Sequence, residues 1–532
     1  MAELDLVLGI DSSTQSTSGI VIDRRDFSIA ARVRVGYRDD PRLVSYGLTG
    51  PAPILPPREP GEADQPPGLF LDALECLLAD LSPSVLGRVA AVNVSAQQHG
   101  QVWLGTGGEA AISSLRGEGC GALGEPGLAA RIGPGFSYDR APIWMTSNTA
   151  SEAEEFRSAL GGRAAVTARS GSDSPLRFSG PVLRRTARRF PEAYARTTVC
   201  HLLSSFLPAV LSGQPRSPVD WGNGSGTSLM NWFGRRWDPD LLEAASAGLP
   251  GGAMGLAGRL PPLVHPLTAA GGIAAYFVER FGFDPACIVL AGSGDNPQSK
   301  VLAPGALLSL GTSFVFMTDG SEPHPGANAM YDGLGRPFLF GCRTNGALCW
   351  ESVRIFHGLG ADDFRASEDA LARMAPGSVL RVLQRERESF PESGTTDYGR
   401  PAEFESDYAG VVDSSLGLIY LASRPFAADV AGVAVTGGAA ASEGTLRRIA
   451  AIWNRPVAVI GEAGAAAGAA VAAAAALEQE SARDGYVARA VAVVSRRGRA
   501  VEPVPADVRA YHGESAYLSR LRRLLEDGIL RA

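Results

Sequence analysis

The stretch LVLGIDSSTQSTSGIVID, residues 6–23, frames the reading of this chain. Apolar runs stand at either end, and in the middle Asp11 is followed by seven residues that each carry a hydroxyl or an amide. Two apolar runs joined by a short polar turn predict a buried hairpin. A tight turn rich in Ser and Thr exposes backbone N–H groups, which can hold a phosphate without a dedicated cation. Asp11 would repel that phosphate unless a divalent ion stood between them, and Mg²⁺ takes one or two carboxylates together with phosphate oxygens. The segment reads either as a Mg–phosphate hairpin or as an ordinary Ser/Thr-rich turn.

The same pattern recurs in GALLSLGTSFVFMTDG, residues 305–320, where Gly311, Thr312 and Ser313 form the turn between two apolar strands. Two such hairpins, roughly 300 residues apart, suggest a duplicated pair of domains closing on one ligand. A Pro/Gly-rich lead followed by a helical pattern in PLTAAGGIAAYFVERFGF, 266–283, predicts the boundary between them. At 532 residues the chain exceeds what one core can serve. Apolar runs alternate with helical patterns throughout, as in α/β folds with mainly parallel sheet. VAAVNVSAQQ (89–98) reads as a buried strand and RTTVCHLLSSFLPAVLSGQ (196–214) as a helix. The proline-rich stretch 48–68 and the Gly-rich stretch 105–135 read as loops.

Composition narrows the function. A net charge of −7 with no basic run argues against a nucleic-acid surface. Six cysteines without C-x-x-C spacing suggest neither a zinc site nor a disulfide framework. The N-terminus has no charged leader. The alanine-rich run 463–477, flanked by Glu462 and Glu478, is short for a membrane span and reads as a buried helix. These features lead us to expect a cytoplasmic protein with no membrane or nucleic-acid partner. Lys300 is the only lysine, which we attribute to genomic composition.

No G-x-x-x-x-G-K-[ST] sequence is present, so a P-loop is excluded. In IVLAGSGDNPQSK (288–300) an apolar strand runs into a Gly-flanked tip bearing Asp295. Such a carboxylate could take a proton from an alcohol attacking a γ-phosphoryl group, or simply bond its own turn. In VSAQQHGQVWL (94–104), Gln98 and His99 follow a strand, where a sugar contact competes with a structural role. Near residue 437 a strand ends in Gly437-Gly438, and Ser442 caps a helix with the apolar face Leu446, Ile449, Ala450 and Trp453. The glycines permit close approach of a flat ligand such as adenine, or mark a plain turn.

In this order the motifs resemble the FGGY carbohydrate kinases of the actin/hexokinase/Hsp70-like superfamily, and within them the eukaryotic-type xylulose kinases. SAQQHGQV is similar to their Gln-His-Gly sugar segment, APIWMTSNTASEAEEF (141–156) to their Trp-Met-Asp stretch, and RSPVDWGNGSGTSLMNW (216–232) to their Asp-Gly-Ser-Gly segment. The likeness runs from about residue 4 to 475. It implies two actin-like (ribonuclease H-like) α/β ATPase domains with a ligand cleft between them. We expect the domains at 1–270 and 271–490, with a tail of undefined role at 491–532.

The activity implied is ATP-dependent phosphorylation of D-xylulose at its terminal hydroxyl. Asp295 would be the base, and Gln98, His99, Arg177, Asp295 and Asn296 would contact the sugar. Asp11 would position Mg²⁺. Ser12, Ser13, Thr14 and Gln15 with Gly311, Thr312 and Ser313 would hold the ATP phosphates, and Gly437, Gly438, Ala439 and Ser442 the adenosine. The resemblance is compatible with a monomer or a homodimer. Four positions depart from the family pattern: Thr146 and Asn223 each stand for an Asp, Asp173 for an Arg, and Ala361 for an aromatic residue. Another ketose, a polyol or a sugar acid is the alternative substrate. A catalytically inactive actin-like regulatory protein is the alternative of a different class.

Overall fold

The hairpin expected at residues 6–23 forms, and a sheet is built outward from it. The computed structural model describes residues 3–530 except 51, 123, 462, 463, 497 and 499. Glu462 and Ala463 at the start of the alanine-rich run therefore lie outside the described residues, as do single positions in the two loops and the last two of the tail.

In the first unit, β1 (Leu6–Ser12), β2 (Ser16–Asp23) and β3 (Ile29–Gly36) form an antiparallel meander. β4 (Val89–Ala96) runs parallel to β1. β5 (Ala269–Gly272) is an antiparallel edge on β6 (Ile288–Leu290), and β6 runs parallel to β4. The order is β3-β2-β1-β4-β6-β5. Side chains alternate across β1, as the period of two requires. Leu6, Leu8 and Ile10 pack in one core, and Val7 packs in another with Ala466, Ala470 and Ala474 of helix Ala465–Ala476. The alanines of that helix are buried as far as Ala475 because the helix lies directly on the sheet. A Cβ at Gly9 would come within 1.9 Å of the Ala466 carbonyl oxygen. Among the described residues no helix is long and apolar enough to cross a membrane.

The second unit repeats the plan. β7 (Ala306–Leu310), β8 (Phe314–Asp319) and β9 (Pro337–Arg343) form an antiparallel meander. β10 (Val433–Thr436) and β11 (Val457–Val459) then run parallel beside β7. The order β9-β8-β7-β10-β11 matches β3-β2-β1-β4-β6 of the first unit. This is the ribonuclease H-like arrangement expected from the resemblance. Helices Phe404–Ser423 and Glu443–Trp453 pack on the sheet, and Tyr511, Leu518, Leu521 and Leu524 of the C-terminal segment complete the same core.

The compact units divide the chain elsewhere than at residue 270. The first comprises 1–302, 329–337 and 463–494, and the second 303–328, 338–462 and 495–532. Segment 266–283 supplies an edge strand and a helix (Ala275–Phe281) to the first unit, so the boundary expected there does not form. Asp295 belongs to the first unit because β6, just before it, pairs with β4.

Local corrections have simple causes. Segment 196–214 begins as a strand, Val199–Leu202, and becomes helical only at Leu203–Ser212. Its Val199 and Cys200 pair with Leu104 and Trp103, which overrides the helical spacing. Segment 105–135 contains a helix, Thr106–Ser114, despite its glycines. The proline-rich loop holds the short strand Asp64–Gln65, paired with Ala141–Pro142.

Candidate active site

β1 and β4 end side by side, and Ser293–Gly294 extends the parallel set by pairing with Ser95 and Ala96. Ligands of α/β folds gather at such carboxyl ends. Gly292 makes the preceding bend with φ +77°, where a Cβ would lie 2.2 Å from the Ser204 carbonyl oxygen. Asp11 and Asp295 thus sit about two strand spacings apart, on the order of 10 Å along the sheet.

Asp11 lies opposite Ser95 in register, and its Oδ1 accepts from the Ser95 hydroxyl at 2.7 Å. It remains partly exposed, yet desolvation raises its pKa to about 6 against that hydrogen bond. Asp295 is the first residue of helix Asp295–Val301. Its Oδ1 accepts from the Asn296 backbone N–H at 2.9 Å and from Asn296 Nδ2 at 3.2 Å. Desolvation, then the charge of Asp11, push its pKa up to about 7. Asp295 therefore bonds its own turn, as the turn reading expects, and titrates near neutrality. Asn296 Nδ2 also donates to Gln98 Oε1 at 2.9 Å, tying the Gln98–His99 segment to the turn that bears Asp295.

His99 is buried at φ +68°, an uncommon conformation for a residue with a Cβ. Its ring stacks on Phe178 with centroids 4.6 Å apart. Burial first, and Arg177 second, pull its pKa down to about 3. The ring is therefore neutral. Because the Gly226 carbonyl can only accept, the 2.9 Å contact to Nδ1 puts the proton there and leaves Nε2 an acceptor. Arg177 stands near His99, and among the described residues no carboxylate pairs with it.

Sequence reasoning missed Asp220. It caps helix Trp221–Ser225, accepting from the backbone N–H groups of Gly222 and Asn223 at 2.8 and 3.0 Å, and it takes the Ser293 hydroxyl at 2.6 Å. It thereby clamps Gly222–Gly226, whose last carbonyl orients His99, to the strand leading to Asp295. An Asp just before a Gly-rich pair of turns was the available signal. Of the departing positions, Thr146 donates to the Ala63 carbonyl at 2.9 Å and Asp173 pairs with Arg157 at 3.0 Å. Asn223 donates to the Ser204 hydroxyl, and the Ala361 carbonyl accepts from Arg354 at 2.7 Å. All four are structural in these contacts.

The hydroxyls of the first turn are largely spent inside the protein. Ser12 pairs with Tyr37 at 3.0 Å, Ser13 donates to the Ser16 carbonyl at 2.9 Å, and Thr14 donates to Gln97 at 3.2 Å. In the second unit, Gly311–Ser313 link β7 and β8, and a Cβ at Gly346 would reach within 2.5 Å of the Thr312 carbonyl oxygen. Gly437 and Gly438 are exposed, and a Cβ added at Gly438 meets nothing within 4 Å. Ser442 caps helix Glu443–Trp453 through the Thr445 N–H at 3.0 Å and donates to Glu368 at 2.6 Å.

The donor set suits a hard cation shared with a ligand. Among the described residues no group of three or more His, Cys, Asp or Glu gathers to hold a metal. Asp11 alone, partly exposed with one oxygen anchored by Ser95, matches an ion that binds through one carboxylate, phosphates and water.

The chain is similar in sequence and in fold to known sugar kinases. Residues 138–301 match the FGGY family of carbohydrate kinases, N-terminal domain. A probable D-xylulose kinase A of Aspergillus terreus is 29% identical over 391 residues, covering 70% of this chain and 65% of that protein. Xylulose kinase 2 of Arabidopsis thaliana is 33% identical over 315 residues, 58% of this chain and 53% of that protein. The match therefore spans less than two thirds of either relative's length. A crystal structure of a "xyloylose kinase" from Brucella ovis superposes with a TM-score of 0.76 over 98% of this chain and 99% of that one, at 21% identity, which shows a shared fold.

Proposed function

We propose that this chain, whose residues 138–301 match the N-terminal domain of the FGGY family of carbohydrate kinases, transfers the γ-phosphoryl group of ATP to D-xylulose, giving the 5-phosphate and ADP. The observation that carries the chemistry is Asp295. It is a carboxylate at a sheet's carboxyl edge, held by Asn296, with its pKa raised to about 7 beside Asp11. A base of that strength accepts the proton of a sugar hydroxyl as its oxygen attacks phosphorus. The names of the relatives favour D-xylulose.

Neutral His99 offers Nε2 to a hydroxyl, and Asn296 and Gln98 present amides at the same edge. Asp11 would hold Mg²⁺, which when bound neutralises charge on the ATP phosphates. In the second unit, Gly311, Thr312, Ser313, Gly437, Gly438, Ala439 and Ser442 are our candidates for nucleotide contact. Ser442 would act through its backbone or after releasing Glu368, since its hydroxyl is already used twice. Arg177, which pairs with no carboxylate among the described residues, favours one second reading, a sugar acid as acceptor.

The test is ADP release from Mg-ATP with D-xylulose, D-ribulose, L-ribulose, glycerol, D-gluconate or no sugar, run beside Asp295→Ala. We expect turnover with D-xylulose and a loss of roughly 10²- to 10⁴-fold in the variant. Turnover on another sugar overturns the substrate, and turnover on D-gluconate alone establishes the second reading. Silence on all of them with nucleotide still bound overturns the kinase.

A further inference from the structure

Thr14 Oγ1, at the tip of the first hairpin, is held from two sides. Trp144 Nε1 donates to it at 2.8 Å, and it donates to Gln97 Oε1 at 3.2 Å. Gln97 Nε2 donates to Gln65 Oε1 at 2.7 Å, and Gln65 Nε2 returns to the Thr14 carbonyl at 2.9 Å and to Pro53 O at 2.8 Å. Thr14, Gln97 and Gln65 therefore close a ring of hydrogen bonds. Gln65 and Gln97 are 0% and 1% exposed. Each amide uses both its donor and its acceptor end in the ring, so neither can flip without leaving two buried groups unpaired. Gln97 directly precedes the Gln98–His99 segment, and its own N–H continues the β1–β4 ladder by donating to the Ser12 carbonyl at 2.9 Å.

We propose that Gln65, Gln97 and Trp144 are positioning residues for phosphoryl transfer. They lock the Thr14 side chain and carbonyl inward, so that the hairpin tip meets the phosphates with the Thr14 backbone N–H, the Ser13 N–H being spent on the Ser16 carbonyl at 2.9 Å. The Thr14 hydroxyl is an internal strut and not a phosphate ligand. This rests on the kinase reading above. It also assigns a purpose to the proline-rich loop: that loop carries Gln65 into the ring and anchors it on the Pro53 carbonyl.

The test compares Thr14→Val, Gln97→Met, the double variant and Trp144→Phe. Mg-ADP affinity is measured by calorimetry, KM for ATP and for sugar separately, and the thermal midpoint alongside. If the ring positions the turn, Thr14→Val and Gln97→Met each weaken Mg-ADP by about tenfold, the size of one buried hydrogen-bond defect. The double variant is then no weaker than either single one, and KM for ATP rises while KM for sugar stays. If Gln97→Met binds like wild type while Thr14→Val is weakened, Thr14 is a direct ligand and the proposal is overturned. Both KM values and the midpoint shifting together overturn it as well, in favour of a structural role only. Should Gln97→Met not fold, Trp144→Phe decides by the same KM split. Wild type that binds no Mg-ADP overturns the kinase reading and this proposal together; wild-type binding with unaffected variants overturns this proposal alone.

Discussion

At the scale of single residues, Asp295 can accept a proton only as the carboxylate. Its pKa is raised from the ordinary 3.8 to about 7 by desolvation and by Asp11. Free-enzyme kcat/KM should therefore climb about tenfold per pH unit below 7 and level off above it. A pH–rate profile flat from 5 to 8 would remove Asp295 from the proton transfer. The same shift has a stability consequence. A carboxyl whose folded pKa is raised lends stability below its unfolded pKa, and that contribution is lost as pH rises through about 7. Asp295→Asn, which keeps the bond from the Asn296 N–H, should thus gain on wild type between pH 5 and 8, on the order of 2 kcal/mol by urea unfolding. Asp220 is likewise raised to about 7 by desolvation, but unlike Asp295 it accepts three hydrogen bonds that hold a helix cap and a neighbouring strand. Asp220→Ala should cost about 2–3 kcal/mol through a lost helix cap and unpaired donors, and should raise KM for sugar through His99.

At the scale of elements, the site depends on how closely helix Ala465–Ala476 approaches its neighbours. A Cβ at Gly468 would lie 1.9 Å from the Gln298 carbonyl oxygen, in the helix that begins with Asp295. A Cβ at Gly9 would collide equally with Ala466. Both obstacles are backbone atoms, so no rotamer change relieves them. Gly468→Ala should destabilise by about 2–3 kcal/mol or more and lower kcat, because the helix that begins with Asp295, the proposed base, must move. Gly438→Ala is the control, since the added methyl meets nothing. It should leave stability unchanged within about 0.5 kcal/mol. Equal losses in the two variants, measured by thermal unfolding, would refute this account of packing.

At the scale of the whole molecule, the chain leaves each unit and returns to it. Helices Ala465–Ala476 and Glu480–Val494 belong to the first unit, and the segment from Ser495 onward to the second. Tyr511 donates to Asp413 Oδ1 at 2.5 Å, and Asp413 also holds Arg448 at 3.0 Å, inside a core that Leu518, Leu521 and Leu524 help fill. Deleting residues 505–532 should therefore unfold the second unit. Hydrogen exchange should show lost protection in β7–β11 and in helix Phe404–Ser423. Retained protection there would mean that the tail is dispensable.

Much was legible in the residues themselves. Alternating apolar positions in β1 and β2, the echo at Gly311–Ser313, and the Gly-flanked Asp295 are local patterns with local physical causes. The duplicated sheets and the carboxylates at their edges follow from them. Ser442 was likewise readable as a cap, because capping needs only a hydroxyl and the next turn of helix. What tertiary structure alone decided depends on contacts between residues far apart in sequence. Val199–Leu202 became a strand because Gln101–Leu104 lay beside it. The boundary left residue 270 because β6 pairs with β4, almost 200 residues earlier. Asp220 became a clamp through Ser293, and the Thr14 hydroxyl turned inward because Gln97 and Trp144 bond it while Gln65 holds the Thr14 carbonyl, three residues from separate segments. A hydroxyl in a turn has the same composition whether it faces a phosphate or a buried glutamine. Only the folded chain, which must satisfy every buried polar group, distinguishes the two.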